Sequence, residues 1–225
     1  MVRKIAIVVA SGTGSRMGGE IPKQFMLLDG KPVLVHTLEK FLALGDCEIV
    51  LALSEAGWEY WRPLARQYFP EVAMAGVIGG DTRFHSVKNA LDSLADVEEA
   101  VVAIHDGVRP FVSVEVLQNS FVAAEKEGSA VACVNSKDSV RLADGAGNRA
   151  VERDRVKLVQ TPQTFRLSVL RKAFELPYSE SFTDDAAVVE RSGHPIHLIE
   201  GSYSNIKITT PEDMALGILL AKGRK

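Results

Sequence analysis

The sequence predicts an α/β fold built on a mainly parallel sheet, and three observations carry that prediction. Short apolar runs alternate with helix-like segments along most of the 225 residues. Three of those runs end in polar turns that contain glycine. One stretch, between Asn135 and Thr164, breaks the rhythm and reads as a hairpin excursion. Alternating strands and helices form β-α-β units whose strands run parallel with both faces covered. In such sheets ligands bind outside the carboxyl ends of the strands.

The elements follow in order. Strand-like runs occur at 5–10, 48–53, 72–78, 100–105 and 130–135. Helix-like segments occupy 33–44, 55–68, 86–94 and 114–127, and in the first of them Val33, Leu34, Leu38, Phe41 and Leu42 share a face. The excursion spans about 136–160. It alternates at Ser139, Val140, Arg141 and Leu142, turns at Asp144-Gly145, and returns through Val151, Val156, Leu158 and Val159. A two-stranded arm is poorly stable alone, so a partner subunit is the natural surface for it. Beyond it the sequence predicts helices at 167–174 and from Thr183, strands at 196–200 and 206–208, and a final helix from Pro211 capped by Thr210. The whole, 1–225, reads as one domain.

Composition excludes several functions. The formal net charge of −3 lacks the basic excess of a general nucleic-acid binder. No apolar run approaches the roughly 20 residues that span a bilayer. Only six apolar residues separate Lys4 from Ser11, too few for a secretory core, so a cytoplasmic location is expected. The two cysteines, Cys47 and Cys133, lie in or beside strand-like runs and read as packing residues.

The chemistry-bearing residues cluster after strands. The first strand enters Ser11-Gly12-Thr13-Gly14-Ser15-Arg16-Met17-Gly18, followed by Pro22-Lys23-Gln24. A dinucleotide fingerprint needs glycine where Met17 stands, and a P-loop needs a closing G-K-[ST] that does not follow. What remains is a backbone made for an anion, with Arg16 inside it and Lys23 beyond. Two such cations suit charge that builds on an α-phosphate and on departing pyrophosphate. The third strand is followed by Gly79-Gly80-Asp81-Thr82-Arg83, where close backbone approach suits a ring or a ribose. Ser86 then opens a helix, with a hydroxyl suited to a base edge. The fourth strand ends in His105-Asp106-Gly107-Val108-Arg109-Pro110. Asp106 is placed for Mg²⁺, which binds polyphosphates through one or two carboxylates. His105, by alternation, points to the other face and reads as structural. Trp58 and Trp61 read as packing.

Taken in order, ASGTGSRMG with PKQF, GGDTR followed by SV, IHDGVRP, KDSVR, VERD, TPQTF, TDDA and NIKITTPEDM resemble the cytidylyltransferases. The nearest likeness is to the 2-C-methyl-D-erythritol 4-phosphate cytidylyltransferase family of the non-mevalonate isoprenoid pathway. The matching stretches run from residue 10 to 214. The resemblance implies a Rossmann-like nucleotidyltransferase with a β-arm that forms a homodimer, acting on CTP and a polyol phosphate with Mg²⁺. It places Arg16 and Lys23 as transition-state stabilisers and Asp106 as the metal ligand. Ala10, Ser11, Gly12, Gly14, Gly80, Asp81, Ser86 and Gly107 fall at nucleotide contacts. Arg109, Ser139, Arg153 and Lys207 fall where the methylerythritol phosphate is held, Ser139 and Arg153 reaching across from a partner's arm. Ser204 stands where the family often carries aspartate, leaving Asp106 and water to complete a metal's shell. A ribitol 5-phosphate cytidylyltransferase keeps the same chemistry with another polyol. An NAD(P) dehydrogenase is disfavoured by Met17 and by Leu53-Ser54, where that fold wants an acid closing the second strand.

Overall fold

The apolar runs at 5–10, 48–53, 100–105 and 130–135 are largely buried because a sheet covered on both faces leaves them no solvent side, whereas the run at 72–78, on the sheet's edge, is mostly exposed. A computed structural model describes residues 2–12 and 21–223. Its strands are β1 (Arg3–Val9), β2 (Leu27–Leu28), β3 (Lys31–Pro32), β4 (Cys47–Leu53), β5 (Ala75–Ile78), β6 (Ala100–Asp106), β7 (Ser129–Asn135), β8 (Val140–Ala143), β9 (Asn148–Val151), β10 (Lys157–Arg166) and β11 (Leu198–Glu200). Its helices are α1 (Val33–Leu42), α2 (Glu55–Tyr68), α3 (Arg83–Asp92), α4 (Val114–Glu127), α5 (Leu167–Ala173), α6 (Asp185–Arg191) and α7 (Pro211–Lys222).

Seven strands form one sheet in the order β11-β7-β10-β6-β1-β4-β5. All are parallel except β10, which runs antiparallel to both neighbours, β6 and β7. The chain steps from β1 outward to β4 and β5, then crosses to β6 on the other side of β1. That reversal is a topological switch point, where the loops leaving two adjacent strands diverge and open a crevice. Val9 and Asp106 are register partners there, so the first glycine loop and the Asp106 turn leave the sheet side by side.

Alternation along β1 divides the core. Ala6 and Val8 face α1, α2 and α4, joining Leu34, Leu38, Phe41, Trp61 and Phe121. Ile5 and Ile7 face the opposite layer with Phe84, Val87, Leu91, Leu170 and Val189. Each such side chain contributes on the order of 1.5–3 kcal/mol by leaving water. A third cluster joins Leu28, Val33, Val108, Phe111, Ile208 and Met214 under α7.

Several expected boundaries change. β5 begins at Ala75, where its pairing with β4 starts, and as an edge strand it stays largely exposed. α3 begins at Arg83, since the Thr82 hydroxyl accepts from the His85 N–H and caps it, leaving Ser86 inside the helix. The expected return strand through Val156, Leu158 and Val159 is instead the start of β10. Its next six residues, 160–165, are buried between two neighbours, a larger gain than an exposed arm offers. The hairpin is therefore shorter: β8 pairs with β9 from Val140↔Val151 to Ala143↔Asn148. Residues 206–208 form no ladder; the Ile208 N–H bonds the Val108 carbonyl at 2.9 Å and its side chain enters the third cluster. The final helix starts as expected, in a capping box between Thr210 and Asp213.

Candidate active site

Three turns at the carboxyl ends of β1, β5 and β6 are stitched into one wall. The Gly107 N–H bonds the Val9 carbonyl at 2.8 Å, and the Gly79 N–H bonds the Leu53 carbonyl at 2.8 Å. A Cβ on Gly107 would meet the Ala10 Cβ at 2.8 Å, and one on Gly79 would meet the Ser11 Cβ at 2.5 Å. These two glycines let the turns touch. Ser86 completes the stitching. It is fully buried; its hydroxyl lies 2.9 Å from the Ser11 hydroxyl and accepts from the Gly80 N–H at 3.1 Å. It also donates to the Thr82 carbonyl at 3.0 Å. The hydroxyl that suits a base edge in the sequence is thus engaged within the wall.

The floor is the Asp106 carboxylate, which is buried and meets three cations. The Arg83 Nε lies 3.3 Å from Oδ1; the Arg109 Nε and the Lys207 Nζ lie 3.2 and 3.0 Å from Oδ2. Burial alone would lift this carboxyl, but Arg83, Lys207 and Arg109 outweigh it and hold the group ionised, well below the usual carboxylate range. The backbone sets each partner. Thr161 on β10 accepts from the Asp106 N–H at 3.1 Å. Arg109 donates to the Asn205 carbonyl at 2.8 Å, while the buried Asn205 amide donates to the Thr161 carbonyl at 2.8 Å. Lys207 is thereby carried to Asp106 from a segment about 100 residues away in sequence.

Lys23 enters from another side, on a short 3-10 turn, Lys23–Phe25. The neighbouring Gln24 is buried and donates to the carbonyls of Ala10 and Gly12, at 2.8 and 3.2 Å. It ties the 23–25 turn to the chain leaving β1 and so sets where Lys23 stands. The resulting cleft, of about 300 Å³, is lined by Ser11, Gly12, Lys23, Gly80 and Asp81 with Arg83, Asp106 and Lys207, while Arg109 lines an adjoining cavity that shares those last three. Gly14 and Arg16 lie outside the described residues.

His105 behaves as a structural group. It is fully buried, edge-on to Phe41, with Nε2 donating to the Arg109 carbonyl at 3.2 Å. Burial pushes its pKa down to about 4. Trp58 packs as expected, its indole N–H on the Val77 carbonyl. Ser139 and Arg153 do not reach this cleft. Ser139 is exposed at the base of the hairpin, and Arg153 lies just past it, half exposed, with Nη1 3.4 Å from the Lys137 carbonyl.

Sequence reasoning assigned no role to Arg83, Gln24 or Asp185. Arg83 and Gln24 stood inside motifs already marked, GGDTR and PKQF, so their position was a signal. Asp185 stood inside TDDA in the same way, but its partner was hidden, because its contact with Arg83 spans 102 residues.

The donor set can be tested against Mg²⁺. Among the described residues no three His, Cys, Asp or Glu side chains gather at one point. One carboxylate already matched by three cations does not hold a dication unaided. It fits an ion that arrives on a triphosphate, with phosphate oxygens and water supplying the other positions.

A mainly parallel sheet with glycine turns meeting at its switch point, and cations converging on one buried carboxylate there, define the class: an α/β enzyme with a site suited to a polyphosphate. The family model of IspD, 2-C-methyl-D-erythritol 4-phosphate cytidylyltransferase, matches residues 4–221. A protein of that name from Porphyromonas gingivalis is 47% identical over 219 residues, 97% of each chain. One from Bacteroides thetaiotaomicron is 42% identical over 220 residues, 97% of this chain and all of the other. Among solved structures, the 2-C-methyl-D-erythritol 4-phosphate cytidylyltransferase of Thermus thermophilus superposes with a TM-score of 0.75 at 31% identity, covering 99% of this chain and 100% of that one. The 4-diphosphocytidyl-2C-methyl-D-erythritol synthase of Anaerococcus prevotii gives 0.86 at 28%, covering 98% and 96%. The chain belongs to the IspD family of nucleotidyltransferases.

Proposed function

We propose that this chain transfers the cytidylyl group of CTP to 2-C-methyl-D-erythritol 4-phosphate, giving 4-diphosphocytidyl-2-C-methyl-D-erythritol and pyrophosphate. The observation that carries the reading is the convergence of Arg83, Arg109 and Lys207 on Asp106 at the switch point, in a chain of this family.

The chemistry asks little of a protein nucleophile. A phosphate oxygen of the polyol substrate is already ionised. It attacks the α-phosphorus in line, a new P–O bond forms, and the bond to the β-phosphate breaks with its electron pair leaving on pyrophosphate. Catalysis is positioning plus neutralisation of spreading charge. Lys23 and Arg16 serve the α-phosphate and the leaving group. Ala10, Ser11, Gly12, Gly14, Gly80, Asp81, Ser86 and Gly107 form the nucleotide's surround. Arg109 and Lys207 are placed to receive the second phosphate once negative charge enters beside Asp106. A Mg²⁺ ion carried by CTP would rest on Asp106 and draw charge from the phosphates.

The same reading makes the protein a homodimer. A hairpin of two four-residue strands is marginal in water, and here Leu142 on it, with Leu158 and Val159 beside it, is exposed. A second copy would cover them and would receive Ser139 and Arg153 at its cleft. Among the described residues no helix is long and apolar enough to cross a membrane. We place the enzyme in the cytoplasm, with its CTP.

The test supplies the purified chain with CTP and Mg²⁺ and either methylerythritol phosphate or ribitol 5-phosphate, and follows pyrophosphate. Release with methylerythritol phosphate at least tenfold faster is expected. Release with ribitol phosphate alone reassigns the polyol, and release with neither overturns the reading.

A further inference from the structure

Asp106's three cations are not equivalent. Lys207 meets it through a flexible, 39% exposed side chain, and Arg109 divides its donors between Asp106 and a neutral backbone carbonyl. Arg83 alone bridges two carboxylates: Nε is 3.3 Å from Asp106, and Nη2 is 2.6 Å from Asp185. Asp185 is 1% exposed and cannot follow a ligand. Its backbone is fixed on both sides. Gln163, itself buried on β10, accepts from the Ala186 N–H at 2.8 Å and donates to the Asp184 carboxylate at 3.0 Å. Asp184 in turn caps α6 through the Ala187 N–H at 2.8 Å. Behind the cleft therefore stands a rigid, buried carboxyl group, its pKa raised by burial against the opposing pull of Arg83, with that guanidinium stretched between it and the floor.

A triphosphate brings several negative charges, more than Asp106 offers. Lys207, and the Arg109 guanidinium that no second carboxylate holds, will turn toward it, and an untethered arginine would do the same. That motion would strengthen ground-state binding and leave Asp106 without the partner that orients it, so tighter binding would come with slower reaction. We propose that Asp185 is a positioning residue for cytidylyl transfer: it anchors Arg83 from behind, so that Arg83 stays on Asp106 when substrate draws Lys207 and Arg109 away. The inference rests on the transfer reaction proposed above and adds the residue that keeps its floor in place.

The experiment compares wild type, Asp185→Asn, Arg83→Lys and the double variant. It measures CTP affinity by calorimetry with Mg²⁺, steady-state kcat, and thermal midpoint. Asp185→Asn keeps the side chain's shape and removes its charge. Its kcat is expected to fall at least tenfold while CTP binds several-fold more tightly. A variant that is merely less well folded loses active protein but gains no affinity. Arg83→Lys keeps the positive charge but loses the span between two carboxylates. It should lower kcat tenfold or more with CTP affinity within about twofold of wild type. The double variant should be no slower than the slower single one, because both break one linkage. If Asp185→Asn does not fold, Arg83→Lys decides: wild-type kcat there overturns the inference. It is overturned equally by an Asp185→Asn protein of wild-type kcat and affinity, by weakened CTP binding in it, or by additive losses in the double variant. In each of those cases the wild-type chain still turns over and the function stands; a wild-type chain without turnover overturns both.

Discussion

At the scale of single residues, the site depends on charges held where water does not reach. Asp106 and His105 are adjacent on β6 and point to opposite faces, and burial acts on them with different results. Three cations keep Asp106 ionised, whereas His105 stays neutral because its burial outweighs the upward pull of the Arg109 carbonyl and the Asp106 charge, and its Nδ1 has no hydrogen-bond partner among the described residues. Stability should respond accordingly. An unfolded histidine binds a proton near pH 6.5, but folded His105 does so only near 4. The unfolded state thus takes up the proton first as pH falls, and stability present above about 6.5 declines between 6.5 and 4, by on the order of 3 kcal/mol at full extent. Asp106 adds a further loss only below its unfolded value of 3.8, since its folded pKa is the lower one. Urea unfolding followed from pH 7.5 to 4.5 should show the decline in wild type and a much flatter profile in His105→Gln. Equal slopes in the two proteins would mean that His105 is not the group titrating.

At the scale of elements, helix ends and strand edges place these residues. The start of α7 is one such end: the Asp213 carboxylate accepts from the Thr210 N–H at 2.8 Å and from the Thr209 hydroxyl at 2.7 Å, while the Thr210 hydroxyl accepts from the Asp213 N–H. Thr210→Ala should lower stability by about 1 kcal/mol, read as a shift in urea midpoint, with kcat unchanged at temperatures where the protein is folded. A midpoint equal to wild type would show that the box contributes nothing. This box was legible in Thr210-Pro211-Glu212-Asp213, as were β1, β4, β6, β7 and the loops after β1, β5 and β6. Local chemistry specifies those features. The β2–β3 hairpin was equally local, with Asp29 and Gly30 both at positive φ, and went unread because its strands are two residues long. β10 was hidden for another reason. Its burial comes from β6 and β7, and a strand whose buried positions are largely the polar Gln160, Thr161, Gln163 and Thr164 does not look like a core strand in sequence. The role of Asp185 is non-local in the same way.

At the scale of the molecule, the sheet's connectivity makes a site from distant segments. Lys23, Arg83, Asp106, Arg109 and Lys207 meet because β1 lies between β4 and β6 and because Asn205 fastens the 205–208 segment to β10. The proposed dimer would cover the exposed hairpin beside this core. Sedimentation should give a dimer, and Arg153→Ala should lower turnover at least tenfold while the dimer persists; a fully active monomer would remove the arm from the mechanism. The account as a whole stands on cations that neutralise the transition state without a protein nucleophile. The most direct measurement is pyrophosphate release from CTP and methylerythritol phosphate by wild type and Lys23→Ala, with CTP affinity determined alongside. The account predicts turnover in wild type and a loss of about 100–1,000-fold in Lys23→Ala with CTP binding nearly unchanged. Wild-type kcat in Lys23→Ala, with only the Michaelis constant raised, would contradict it.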